Sequence, residues 1–519
     1  MTTTMAKCCA PAALPKLAPM ALALLMAVPA ARAEWKFAPA VELRETWSDN
    51  VGLASNDKAG SQFITEVVPG FSLTNVGPRL KLHANYQLHL YQYSKERTGG
   101  TGRNTSSLNA GAQAKVVDDL LFFDGTATIS QQATSAFGPQ VNNNGYSTNN
   151  RNEVRTIRLS PYLQHRFGST AQMELRYTRD TVDTDNRGMG RSDANSINLN
   201  INSGPAFRTI GWGLMANRQV LDDSIAPTST TQLVMANVFY RLTPTFSLTA
   251  SGGYDKFSYE SNGQATQGKS WSTGLRWNPS PRTSLDASLG KRYYGNSYSL
   301  ALNHRARYSN WSVSYGDSVT NSRSNFLLPS AIDTAAMLDR LFMPNFPDAA
   351  KRAAAVEAYI RALNLPRALP DSVNYFSNRY ALQKQLQASV SFTTARTSTM
   401  FNVFSMRREA LSLTQVDSTL LGSSSGNVND NTRQTGASAL FNYRLNSRTG
   451  ASLSATYTNA DSNSLGKGSQ NRALRLFLTH QFDQKISGGV EVRRVRGSTF
   501  LDSGNYTENA VAASVSIKL

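Results

Sequence analysis

From Trp35 to the last residue, apolar and polar side chains alternate in one run after another. In "SINLNINSG" (196–204), Ile197, Leu199 and Ile201 are apolar while Asn198, Asn200 and Asn202 are amides. A period of two predicts a β-strand with one apolar and one wet face. "RLKLHANYQLHLYQY" (79–93) sets Leu80, Leu82, Ala84, Tyr86, Leu88 and Leu90 against Lys81, His83, Asn85, Gln87, His89 and Tyr91. "AQMELRYT" (171–178), "ASALFNYRL" (437–445), "ASLSATYT" (451–458), "RALRLFLTH" (472–480) and the closing "AVAASVSIKL" (510–519) repeat the scheme. Such runs number about 22, within 20–24, which is the size of the larger outer-membrane barrels. Half-buried strands of a soluble sandwich array carry the same alternation, so the location of the apolar side has to come from elsewhere.

The connections and the aromatics supply it. Tight turns such as "FGST" (167–170), "LTPT" (242–245), "NPSPR" (278–282) and "FDQK" (482–485) alternate with long polar loops such as 135–150 and 421–431. Transmembrane barrels show this rhythm, with short periplasmic turns and extended outer loops. Trp35, Phe71, Phe167, Phe207, Tyr240, Phe246, Trp277, Tyr308, Trp311, Phe392, Tyr443 and Phe482 all sit beside the short turns. A soluble core concentrates aromatics mid-strand, whereas a girdle at strand ends suits a membrane interface. The expected fold is therefore all-β, a single antiparallel transmembrane barrel over 34–519, with its apolar face toward lipid.

The N-terminus is consistent with export. Lys7 and Lys16 precede the apolar run "LAPMALALLMAVPA" (17–30) and "ARA" at 31–33, the pattern of a cleaved signal peptide over 1–33. The run is shorter than the roughly 20 residues of a membrane-spanning helix. Cys8 and Cys9 depart with it, leaving no disulfide staple. The formal charge is +18, of which Lys7, Lys16 and Arg32 lie in the signal. The destination expected is the bacterial outer membrane, with lipid and lipopolysaccharide as neighbours. Nucleic acid, a usual partner of a basic chain, is not expected there.

The opening "WKFAPAVELRETWSDNVGL" (35–53), "ITEVVPGFSL" (64–73), "FLLPSAIDTAAMLDRLF" (326–342), "AAAVEAYIRALNLP" (353–366) and "NYFSNRYALQKQLQASVSF" (374–392) resemble the outer-membrane proteins associated with PEP-CTERM/exosortase systems. The resemblance covers most of the chain after the signal. It implies a barrel that accompanies exopolysaccharide synthesis and export, and it brings no catalytic residues.

One stretch breaks the β texture. In 325–375, Ser330 and Asp333 form a capping box ahead of "TAAMLDRLF". Asp348 then caps a second helix with Ala353, Val356, Ile360 and Leu363 on one stripe, ended by Pro366. Strand parity places this helical hairpin in an extracellular loop, as a lid over the pore or a surface elaboration.

On the wet faces, parity points Arg44, Lys81, Lys115, Arg158, Arg176, Arg276, Arg292, Arg305, Arg307, Arg444, Arg475 and Arg493 inward, with Glu42, Glu66, Asp124, Glu174, Asp286 and Glu491. Charge ladders of this kind often only hold shape, but rings of arginine also favour anions. Arg276, Arg292, Arg305 and Arg307, together with Arg158, Arg176 and Arg475, are the candidate basic patch for a passing polyanion. Arg218 and Lys256 fall on the outward parity, where they suit lipopolysaccharide phosphates.

No enzyme is expected. His83 and His89 share a face about 20 Å apart, too far to bind one metal, and "GGTGRNT" (99–105) lacks the helix that phosphate loops need. No metal, cofactor or catalytic set is assigned. The expected function is a conduit for an anionic polymer or solute, working with periplasmic export proteins. The alternative is a non-conducting barrel that anchors a secretion complex. The chain enters its first strand directly after the signal, which argues against a plugged, energy-coupled receptor.

Overall fold

The computed structural model describes residues 35–95, 104–140, 150–185, 190–259, 265–327, 375–377, 379–412, 431–464, 466–499 and 504–519. The expected signal peptide over 1–33 lies outside them, as do residues 328–374 of the helical hairpin expected over 325–375. The strands begin with β1 (Trp35–Ser48), β2 (Gln62–Val76), β3 (Leu80–Tyr93), β4 (Thr105–Val117), β5 (Leu121–Ala133), β6 (Arg151–Phe167), β7 (Ala171–Thr184) and β8 (Ser192–Ser203). They continue with β9 (Ile210–Asp223), β10 (Ser229–Thr243), β11 (Phe246–Ser258), β12 (Gln267–Ser280), β13 (Thr283–Arg292), β14 (Gly295–Arg305) and β15 (Ser309–Thr320). The series ends with β16 (Ala381–Thr393), β17 (Thr397–Ala410), β18 (Asn431–Arg444), β19 (Thr449–Ser462), β20 (Lys467–Gln481), β21 (Ile486–Thr499) and β22 (Gly504–Lys518).

Each strand pairs antiparallel with the next, and β1 pairs with β22 from Ala40↔Lys518 to Ser48↔Ala510. The sheet therefore closes without an edge, as a membrane-spanning sheet must. The expected 22-stranded antiparallel barrel is the observed one. An even count returns both strand termini to the rim that carries the short connections, 77–79, 168–170, 244–245, 281–282 and 394–396 among them. Asp119 and Gly168 take positive φ, 59° and 57°, in two of these turns, a conformation that aspartate tolerates and glycine adopts freely.

The apolar side is the outer one. Ile197 is 52% exposed on the outer wall, with Leu43, Phe63, Val234, Leu289, Phe401, Leu474 and Val511 on the same surface. Along β1, Phe37 and Trp47 stand ten residues apart on that face. At strand rise and barrel tilt they mark an apolar band about 25 Å tall. Trp35, Phe167, Trp277, Tyr308, Trp311 and Phe482 ring its short-turn edge, and Trp47, Tyr254, Trp271 and Tyr298 lie toward the other. A closed barrel with such a wall is the outer-membrane architecture. Arg218 and Lys256 point outward and are exposed.

A six-residue helix, α1 (Ser322–Leu327), follows β15. Asn321 caps it, its Oδ1 accepting from the Ser324 amide at 2.8 Å. It starts ahead of the helices read from the sequence.

Candidate functional site

The interior divides into a charged seam, a barred mouth and a basic vestibule. The seam spans β20 to β3 across the closure. Glu491 is 2% exposed and lies 2.5 Å from Arg475, 3.3 Å from Arg493 and 3.8 Å from Arg44. Arg44 also reaches Glu42 at 3.0 Å and Glu66 at 3.9 Å. Arg493 pairs at 2.9 Å with Glu508, which also accepts from the Ser48 hydroxyl at 2.8 Å. His89 lies 2.7 Å from Glu66, while the His83 ring covers Gly111, where a Cβ would clash with it. Strand parity places Arg44, Glu66, Glu491 and Arg493 on this face. It missed Glu508, although Tyr506, Glu508 and Ala510 alternate inward and carry the same signal.

At the long-loop rim, Tyr375 and Phe376 lie inside the barrel and are almost fully buried. Their backbone is tied to the end of β5, by a bridge to Ala133 and by the Phe376 amide donating to the Thr134 carbonyl at 3.2 Å. The Phe376 ring packs with Val154 of β6 and Val182 of β7. The Tyr375 hydroxyl nevertheless reaches Thr432 of β18 at 3.0 Å, and Arg408 of β17 stands 4.9 Å over its ring. Those strands belong to the far side of the circuit, and Ala136 and Phe137, just past β5, pack with Tyr375 and with Ala460 of β19, so this stretch and Tyr375 together cross the mouth. Ser322 donates to the Tyr375 carbonyl at 2.7 Å. Arg323 of α1 is buried against Asp180 of β7 and donates to Ser192 of β8 at 2.8 Å. In the nearby turn 293–294, burial and the Asp317 carboxylate, which accepts the Tyr294 hydroxyl at 2.6 Å, push the Tyr294 phenol up to about 12.

The third region opens at the short-turn rim, where β1–β3 and β18–β22 enclose a cavity of about 360 Å³. Arg444, Arg448, Lys485 and Lys518 line it, and Glu42, already held by Arg44, is the one acid among the lining residues. Arg444 lies on the inner face, as strand parity predicts. Arg448 and Lys485 sit in turns, where strand parity assigns no side, and Lys518 ends β22 on the inward parity.

The structure does not gather the seven arginines of the candidate patch. Arg158 and Arg176 lie on β6 and β7, Arg475 lies on β20, and the rest lie on β12 to the turn after β14. Arg292 ends β13 at the long-loop rim, where it binds the buried Asp255 at 2.8 Å. Arg276 pairs with Asp286 at 2.5 Å, six residues and about 20 Å down that strand. Arg292 and Arg276 share the inner face but not a height, so they form no common patch, because parity reports the face and not the rim. Arg307 does not share a strand with Arg305, since β14 ends at Arg305. Its guanidinium lies 5.0 Å over the Tyr308 ring in the turn. Arg176 is held by Asp124 at 2.8 Å and Glu174 at 3.0 Å, and covers Tyr162 at 3.8 Å. Arg475 belongs to the seam. Arg158 keeps a buried Nε that has no hydrogen-bond partner among the described residues.

No family model and no curated protein matches the sequence. Among solved structures, the barrel is similar to the siderophore receptor PirA from Pseudomonas aeruginosa, at 10% identity and a TM-score of 0.45, over 94% of this chain and 81% of that one. It is similar to the FrpB iron transporter from Neisseria meningitidis, at 11% identity and a TM-score of 0.48, over 93% and 81%. The ferric enterobactin receptor PfeA from Pseudomonas aeruginosa follows at 9% identity and a TM-score of 0.44, over 94% and 81%.

Proposed function

We propose that this outer-membrane barrel is a gated conduit for an anionic polymer or solute, loaded from the short-turn side. The observation that carries the reading is the vestibule, whose four cations meet no free carboxylate in its lining. Such a surface concentrates polyanions and lowers the barrier to their entry. The resemblance to exosortase-associated barrels makes an exopolysaccharide the polymer class to test first, delivered by periplasmic export proteins. The Tyr375–Phe376 bar makes the resting state closed. That same bar favours the second reading, a scaffold that never conducts.

Planar-bilayer recording separates them. Wild type should pass little current, with anion preference. The double variant Tyr375→Ala/Phe376→Ala should raise single-channel conductance severalfold. Exchanging Arg444, Arg448, Lys485 and Lys518 for Gln should lower the anion preference of that opened channel. An opened variant that passes no current makes the scaffold the better account.

A further inference from the structure

On the outer wall of β17–β21 a groove of about 620 Å³ runs up to three arginines. Its floor is cut by small side chains, Ala437, Ala439 and Ala455, between Phe401 and Leu474. Above it, Arg472 of β20 faces Arg496 of β21 across the ladder, and Arg494 faces Leu474 one step below. All three arginines are exposed on the lipid-facing side. Arg472 lies 5.5 Å over the ring of Tyr457.

Two features make this arrangement costly unless something occupies it. Like charges directly opposite on adjacent strands repel, and no carboxylate is paired with these three arginines among the described residues. Cations on the lipid-facing wall are tolerated only near the interface. Arg472 stands nine residues from the short-turn end of its strand, and Arg496 ten. At strand rise and tilt this is roughly 20–25 Å up, the far edge of the apolar band. The guanidinium groups thus lie at headgroup level on the long-loop side, directly above an apolar groove.

We infer that this face holds a phosphorylated saccharolipid of the outer leaflet, lipid A. Its phosphates are clamped by Arg472, Arg494 and Arg496, and an acyl chain lies over Ala437, Ala439 and Ala455. Guanidinium pairs phosphate oxygens bidentately. Arg494 and Arg496 are two residues, about 7 Å, apart on one strand, a spread suited to more than one phosphate. The site is independent of conduction through the lumen.

The test uses the full-length barrel purified in detergent and incubated with diphosphoryl lipid A or phosphatidylglycerol, with retained lipid read by native mass spectrometry. Wild type should retain diphosphoryl lipid A over phosphatidylglycerol. The triple variant Arg472→Gln/Arg494→Gln/Arg496→Gln should lose at least tenfold of that retention while still migrating as a folded, heat-modifiable barrel. Ala439→Trp, which fills the groove and leaves every charge, should lose retention too, and it decides the matter should the triple variant not fold. Lys269→Gln/Lys291→Gln, exposed on the outer wall of β12 and β13, should stay within twofold of wild type. Equal retention of phosphatidylglycerol, a loss in the Lys269/Lys291 variant equal to that of the triple variant, or a folded triple variant within twofold of wild type would each overturn the assignment.

Discussion

Replacing Glu491 by Gln is the most informative single change inside the barrel. Its carboxylate is buried among Arg475, Arg493 and Arg44, all within 3.8 Å. One unit pair at about 4 Å in a medium of effective dielectric near 20 interacts by about 4 kcal/mol, before desolvation is set against it. Removing one partner from a buried pair leaves the other charge stranded and costs about 3–5 kcal/mol. Glu491→Gln should destabilise the barrel by that amount, read by urea unfolding in lipid vesicles with tryptophan fluorescence. Adding Arg475→Met should recover part of the loss by removing a stranded cation. Asp286→Asn supplies the contrast. Its pair with Arg276 has side chains 45% and 56% exposed, so the change should cost about 0–1 kcal/mol. A Glu491→Gln barrel as stable as the Asp286→Asn barrel would refute the claim that the seam is dry and its charges interdependent.

Two further expectations follow from other elements. Tyr294 is neutral in the fold with its phenol pushed up to about 12, whereas an unfolded tyrosine ionises near 10. The stability tied to it is therefore complete below about pH 10 and fades as pH climbs through about 12; Tyr294→Phe should remove that late step from an ultraviolet titration, and identical curves would contradict the burial described. In vesicles, barrels keeping only Trp311 should be quenched more by lipids brominated near the carbonyls than near the chain ends, and quenching indifferent to depth would remove Trp311 from the interface.

Much of this fold is legible because a period-two pattern survives tertiary assembly. "INLNIN" carries enough to put Ile197 outside and Asn198 inside, and the strand count follows from repeating that reading between turns. The girdle is legible for the same reason, since aromatics beside tight turns have only one interface to occupy. Side-chain pairing inside the lumen is less accessible. Parity put Arg292 and Arg276 on one face, but the two stand at opposite rims, and the sequence does not label height. The Tyr375 bar is less legible still. It depends on Tyr375 and Phe376, just ahead of β16, meeting Ala133, Thr134, Val154 and Val182 on the opposite side of the circuit, and no local pattern encodes that encounter.

The seam between β1 and β22 also answers a problem that hydrophobic patterning leaves open. A one-residue slip of the last strand would turn its valines inward and is forbidden by lipid. A two-residue slip keeps every face correct, and the small residues of "AVAASVSIKL" offer little shape to resist it. What such a slip would break is the set of contacts from Ser48 to Glu508, from Glu508 to Arg493 and from Arg44 to Glu491. Those contacts join residues as many as 460 positions apart. The buried charges thus act as a key cut for one alignment, letting the two ends of the chain recognise their correct mating position among several that lipid alone would accept.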